Sequence, residues 1–164
     1  MDIFVEPVKP QPELLVCGSG PVASALLRIA ASFGFSLVLC GEIEHAIADR
    51  RYASLVEMDR AAMPAVDRYV VVATQGKGDV ITLTAALKMA VRYIAFVGSR
   101  RKFASYKDKL TNAGVSATKI GAVRSPAGVH INAVTPDEIA LSIMAEIIQT
   151  RRTAGQQRAT YDAC

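Results

Sequence analysis

The sequence predicts an α/β fold, a single Rossmann-like, doubly wound and mainly parallel sheet with helices on both faces. Two observations predict it. Short runs that are apolar at every position (LLVC, YVVVA and YIAFV) alternate with helical segments, and such runs suit strands buried on both faces, as in a parallel sheet. Glu13 to Cys40 lays out strand, glycine turn, helix and strand, the arrangement of a nucleotide-binding βαβ unit.

The first strand is the run Leu14, Leu15, Val16 and Cys17. In the turn that follows, Gly18 allows the tight bend. Gly20 lacks the β-carbon that would keep a diphosphate from the backbone, and Ala23 lets the helix pack close to the strand. Ser19, Pro21 and Val22 complete the turn, and the free N–H groups and positive dipole end of the helix would face the phosphates. A glycine-rich turn that only packs shares this GxGxxA pattern; the strand before it and the helix after it favour phosphate binding.

Gly34 closes the first helix, and Ser36 to Cys40 is the second strand. Ile43 to Ala62 is irregular and polar, with room for one short helix and a short strand near Ala53 to Val56. Tyr69 to Ala73 is a β-branched central strand. Asp79 to Val91 is a helix with Ile81, Leu83, Leu87 and Val91 on its packed face, and Tyr93 to Val97 is another buried strand. Ser99 to Ala113 is one amphipathic basic helix ended by Gly114, followed by a loop holding Gly121, Pro126 and Gly128. The last helix runs from Pro136 to about Arg152. Thr135 is its N-cap, Glu138 the capping-box partner, and Ile139, Ile143 and Ile147, flanked by Ala140, Met144 and Ile148, form its apolar stripe. From Thr153 the tail is polar and expected to fray.

At 164 residues and 51% hydrophobic content, the whole chain, 1–164, can form one domain without staples. No run of about 18 apolar residues offers a membrane span, and Met1 opens no signal segment. Cys17, Cys40 and Cys164 form no CxxC pair and read as reduced packing residues of a cytoplasmic protein, without a metal site. The net charge of +4 is spread thinly, with clusters at Arg100-Arg101-Lys102 and Arg151-Arg152 that suit phosphates, an acidic partner or a solvated face. No nucleic-acid motif accompanies them.

Three loops gather at the carboxyl ends of the strands, where ligands bind in such sheets. They are Gly18 to Pro21; Thr74, Gln75, Gly76, Lys77, Gly78 and Asp79; and Gly98, Ser99, Arg100, Arg101 and Lys102. Ser99 can cap its helix, and the guanidinium groups can hold phosphate bidentately. Candidates for chemistry are sparse. His45 sits in a polar stretch and suits the surface; His130 suits either a ligand contact or a structural hydrogen bond. Cys17 suits an inert buried thiol better than a cofactor contact. Asp79 offers a pair with Lys77 or a helix-start role. These residues assemble no catalytic set, so the expectation is a binding protein more than an enzyme.

FVEPVKPQPELLVCGSGPVA, VVVATQGKGD, YIAFVGSRRK and SPAGVHINAVTPDEIALSIMAEIIQTRR, in that order, resemble the XdhC/CoxI family from Phe4 to Arg152. The resemblance implies an accessory protein for maturation of molybdenum hydroxylases such as xanthine dehydrogenase and carbon monoxide dehydrogenase, and a chain corresponding to the Rossmann half alone. Family members are implicated in handling the molybdenum cofactor. Several positions depart from the family pattern. The aspartate expected after the second strand is Gly41, with Glu42 next to it to take the ribose hydroxyls, and a frequent histidine of the turn is Pro21. Gln75 and Lys77 stand where imidazoles are frequent, and His130 and Asn132 replace an acidic residue and a glycine. The expected ligand is an ADP-containing dinucleotide, FAD first and NAD(P) next, with a molybdopterin dinucleotide third. The expected partner is a molybdenum hydroxylase subunit or another maturation factor. A small NAD(P)-dependent oxidoreductase completed as a homodimer, a molybdenum-cofactor-binding chaperone and a nucleotide-sensing module are the alternatives.

Overall fold

The computed structural model describes residues 10–59 and 66–161, with side chains over 10–58 and 66–153; Cys164 and the end of the Ile43 to Ala62 segment lie outside them. The continuous apolar runs form β1 (Glu13–Cys17), β2 (Ser36–Cys40), β4 (Arg68–Val72) and β5 (Tyr93–Phe96), and β3 (Arg50–Tyr52) adds a short edge. All neighbours pair in parallel in the order β3-β2-β1-β4-β5. The order reverses between β1 and β4, which makes their carboxyl ends the switch point of the sheet.

Because side chains alternate along a strand, each apolar run feeds two cores. Leu14, Val16, Leu37, Leu39, Tyr69 and Val71 face α1 (Pro21–Ala30) and α7 (Pro136–Tyr161). Leu15, Cys17, Val38, Cys40, Val70 and Val72 face the other layer. That layer comprises α2 (Leu55–Asp59), α3 (Asp79–Lys88), α4 (Arg100–Ala104), α5 (Lys107–Asn112) and α6 (Ala117–Gly121). The isoleucine stripe of α7 is used as expected: Ala140, Ile143, Met144 and Ile147 are buried against α1 and the sheet. Its capping box also forms. Glu138 accepts hydrogen bonds from the amides of Val134 (2.8 Å) and Thr135 (2.9 Å), and the Glu138 amide donates to Thr135 Oγ1 (3.3 Å).

Several elements differ from expectation, each for a local reason. The strand placed near Ala53 to Val56 lies earlier, at Arg50–Tyr52, because a capping box starts α2 there: the Glu57 amide donates to Ser54 Oγ (3.2 Å) and the Ala53 amide to Glu57 Oε2 (2.8 Å). Ile81 is 67% exposed, since the buried stripe of α3 runs through Asp79, Leu83, Ala86 and Leu87 and leaves it on the outer side. The single basic helix over 99–113 is two helices, broken where Tyr106 turns its ring against Phe96 (centroids 5.8 Å apart) and its hydroxyl to Asp79. The loop expected after Val115 contains α6, which Ser116 caps and Ile120 anchors in the core. α7 continues past Arg152 to Tyr161, with no proline to stop it. Among the described residues no helix is long and apolar enough to cross a membrane.

Candidate functional site

At the mouth of β1, two stretches of backbone meet without side chains between them. Gly18 has φ +139°, and a β-carbon there would collide with the Ala73 carbonyl oxygen at the end of β4. Gly41 has φ +151°, and its β-carbon would lie 2.6 Å from the Gly18 carbonyl oxygen. Both positions therefore require glycine. The second explains why no aspartate stands after β2: a side chain has no room, and the exposed Glu42 is the carboxylate on offer. Ser19 ties the loops together, its Oγ accepting the Glu42 N–H at 3.0 Å, while the Gly18 amide donates to Cys40 O at 2.9 Å.

Gly20 is the N-cap of α1, with extended backbone (φ −92°, ψ 175°) and no side-chain cap, and Pro21 opens the helix. Pro21 has no N–H, so the first-turn donors at this end are the amides of Val22 and Ala23. Ala23 is fully buried where α1 meets the sheet, the close packing read from its small side chain. Gln75 has φ +53°, and its carboxamide lies across Gly20: a β-carbon on Gly20 would be 2.6 Å from both Gln75 Cδ and Nε2 and 2.9 Å from Oε1. The side chain that meets the turn is thus the free end of a flexible residue rather than fixed backbone.

The Thr74 to Asp79 loop is fastened by one buried carboxylate. Asp79 Oδ1 accepts hydrogen bonds from the Thr74 hydroxyl and the Gly76 amide (2.9 Å); Oδ2 accepts one from the Tyr106 hydroxyl (2.9 Å) and lies 2.8 Å from Lys102 Nζ. Burial pushes the Asp79 carboxyl up, but the donors on Lys102, Thr74, Tyr106 and Gly76 outweigh it and hold the group below its usual range. The suggested Asp79–Lys77 pair is therefore corrected: the partner is Lys102, on α4, and Lys77 lines the neighbouring cleft. Lys102 Nζ also lies over the Phe96 ring, 5.5 Å from its centroid.

Two clefts flank the switch point. The smaller, about 370 Å³, is bounded by Gly18, Gly41, Gln75 and Lys77 together with Ala53, Ser54, Ile81 and Thr82. The larger, about 650 Å³, lies beside β5 and is bounded by Gly98, Ser99, Arg100, His130, Asn132 and Ile139. Ser99 caps α4 as expected, accepting the Lys102 amide at 3.1 Å; Arg100 and Arg101 are exposed, and Arg100 reaches the cleft wall. Glu146 secures the far wall by accepting hydrogen bonds from Tyr93 (2.6 Å) and the Gly128 amide (2.9 Å).

Of the residues named from the sequence, those of all three loops from Gly18 to Gly20, at Thr74, Gln75, Lys77 and Gly78, and from Gly98 to Arg100 border the two clefts with Gly41, whereas Pro21, Val22, Ala23, Glu42, Gly76, Asp79 and Arg101 do not. The sequence reading missed Ala53, Ser54, Ile81 and Thr82 on the smaller cleft and Glu146 behind the larger. The Ser54-x-x-Glu57 pattern was the available signal for the first group, since it puts the start of α2 at the cleft. His45 is exposed with φ +54° and borders neither cleft, whereas exposed His130 borders the larger one. Cys17 is buried, and its hydrogen bond with Cys40 and its burial push the thiol well up, which keeps it protonated at neutral pH. Among the described residues no group of three or more His, Cys, Asp or Glu is placed to hold a metal ion.

This arrangement has relatives. The chain is 28% identical over 163 residues to YqeB of Escherichia coli, covering 94% of this chain and 30% of that protein. It is 28% identical over 160 residues to a Bacillus subtilis protein named as a probable xanthine dehydrogenase component, covering 92% of this chain and 46% of that protein. A crystal structure described as a xanthine dehydrogenase from Bacillus halodurans superposes with a TM-score of 0.70 at 27% identity, over 88% of this chain and 44% of that one. The chain therefore spans less than half the length of each of these relatives. Residues 14–147 match the XdhC Rossmann domain, and with this sheet order and this glycine mouth the chain belongs to that family.

Proposed function

We propose that the chain binds an ADP-containing dinucleotide along the carboxyl edge of its sheet and serves, without catalysing a reaction, in maturation of a molybdenum-containing hydroxylase of the xanthine or carbon monoxide dehydrogenase type. The observation that carries the binding half is the glycine mouth of β1, where Gly18 and Gly41 bring backbone together beside the start of α1, which no side chain caps, and where the group covering Gly20 is the movable carboxamide of Gln75. A diphosphate there would bridge the two clefts. The smaller suits an adenosine, with Ile81 as an apolar wall for the base and Glu42, outside the lining but next to Gly41, as the carboxylate that would reach for the ribose; the larger suits a flavin, nicotinamide or pterin ring beside Arg100 and His130. FAD comes first because the enzymes served carry flavin, NAD(P) next, and a molybdopterin dinucleotide would present the same diphosphate. The relative named as a xanthine dehydrogenase component supports the maturation half, with a hydroxylase subunit or another maturation factor as partner in the cytoplasm.

Calorimetric titration with FAD, NAD and NADP, alongside the absorption spectrum of the purified protein, tests the binding half. Gly20→Val is expected to abolish binding, because the new side chain would fill the approach to the peptide backbone. Unchanged affinity in that variant would remove the diphosphate from this turn.

A further inference from the structure

We infer that Gln75 is a side-chain gate on the phosphate site: its carboxamide and an incoming diphosphate compete for the same space in front of Gly20. The inference rests on the dinucleotide reading above and adds a residue that sets the affinity of that site. Gly20 is buried although it opens a helix at the sheet edge, while Gln75, which lies on it, is exposed. All three terminal atoms of the carboxamide converge on the point where a Gly20 β-carbon would stand, at 2.6, 2.6 and 2.9 Å. That point is the approach which a glycine at this position keeps clear for a phosphate.

The gate is hung on a rigid frame. Asp79 clamps the Thr74 hydroxyl and the Gly76 amide on either side of Gln75, and Gln75, Gly76 and Gly78 all have positive φ (+53°, +93° and +80°), which bends the loop back toward β1. The carboxamide itself makes no hydrogen bond among the described residues, so it is held over Gly20 by contact alone. Rotation about the side-chain bonds of Gln75 moves it aside without disturbing the loop, and exposed rotamers exchange in picoseconds to nanoseconds. A residue that instead bound the phosphate through its amide would have to stand beside the approach; Gln75 stands in it.

The test is a titration series with ADP and FAD on the full chain. Gln75→Ala is expected to tighten both affinities by roughly fivefold, about 1 kcal/mol at 1.4 kcal/mol per tenfold, with circular dichroism and thermal midpoint close to wild type. Gln75→Met, similar in length but without the amide, should stay near wild type, because it fills the same space. Weakened binding in Gln75→Ala would make the carboxamide a ligand contact, and unchanged binding would make it a bystander; either overturns the gate. Gly20→Ala is then measured in both backgrounds. Loss of binding in each supports a glycine reserved for phosphate, whereas recovery in the Gln75→Ala background would show that Gly20 serves only to seat Gln75. If no variant binds either nucleotide, the dinucleotide reading and the gate fall together; Gly20-dependent binding insensitive to Gln75 would sink the gate alone.

Discussion

Asp79 shows how one buried charge can organise a loop that the sequence presents as a string of small polar residues. Nothing local pairs it with Lys102, which lies on a different helix across β5; the nearer Lys77 is the obvious partner on paper and the wrong one in space. Gly18 and Gly41 are opposite cases. Gly18 follows an apolar strand and reads directly as a turn, but the reason for Gly41, contact with the Gly18 carbonyl, depends on two strands being neighbours and is invisible along the chain. The Asp79 cluster has a definite pH signature. Its folded carboxyl binds a proton less readily than the ordinary group at 3.8, so the unfolded chain takes up more protons in acid. The contribution is fully present above that value and is lost as pH falls through the lower folded one. Asp79→Asn keeps the shape but sets an amide against the Lys102 ammonium. Because Lys102 is partly exposed, the loss is expected to be modest, about 1–2 kcal/mol near neutrality. Thermal midpoints recorded between about pH 2 and 7 should show the gap between variant and wild type narrowing toward the acid end. A gap constant with pH would mean that the carboxylate charge is not what holds the loop.

The elements that sequence reading located well are those whose signal is local. β1, β2, β4 and β5 are buried on both faces and so are apolar at every position after their polar first residues Glu13, Ser36 and Arg68 (β5 has none), while the α7 start is written in a capping box. The elements it misplaced take their reason from elsewhere. β3 has two arginines among its three residues and is a strand only because β2 offers an edge. The break between α4 and α5 has neither glycine nor proline and follows from Tyr106 reaching Asp79. That break leaves α4 as a short stub presenting Arg100 and Arg101 to solvent at the sheet edge. Reversing both charges, Arg100→Glu with Arg101→Glu, should leave the thermal midpoint nearly unchanged, since neither guanidinium is buried. It should weaken dinucleotide binding severalfold at low salt, with a smaller loss as ionic strength rises. A large drop in midpoint would assign the pair to the fold instead.

At the scale of the whole molecule, the sheet stands between two cores, and the proposed ligand edge lies where β1 and β4 carry both cores to their carboxyl ends. A dinucleotide across that edge would touch loops rooted in both layers: the turn into α1 on one side, the start of α3 and the loop before α2 on the other. Binding should therefore stabilise the folded chain as a unit rather than one loop. At a ligand concentration of about 100 times Kd the linkage amounts to ~2.7 kcal/mol, which for a domain of this size raises the thermal midpoint by roughly 5–10 °C. Differential scanning fluorimetry against FAD, NAD and NADP at stepped concentrations measures it, and the shift should grow with the logarithm of ligand. The ligand with the larger shift at equal concentration is the one the edge is built for, provided that Gly20→Val removes the shift while keeping its own unliganded transition. A shift that survives Gly20→Val would place the ligand elsewhere on the molecule and leave the glycine mouth as packing.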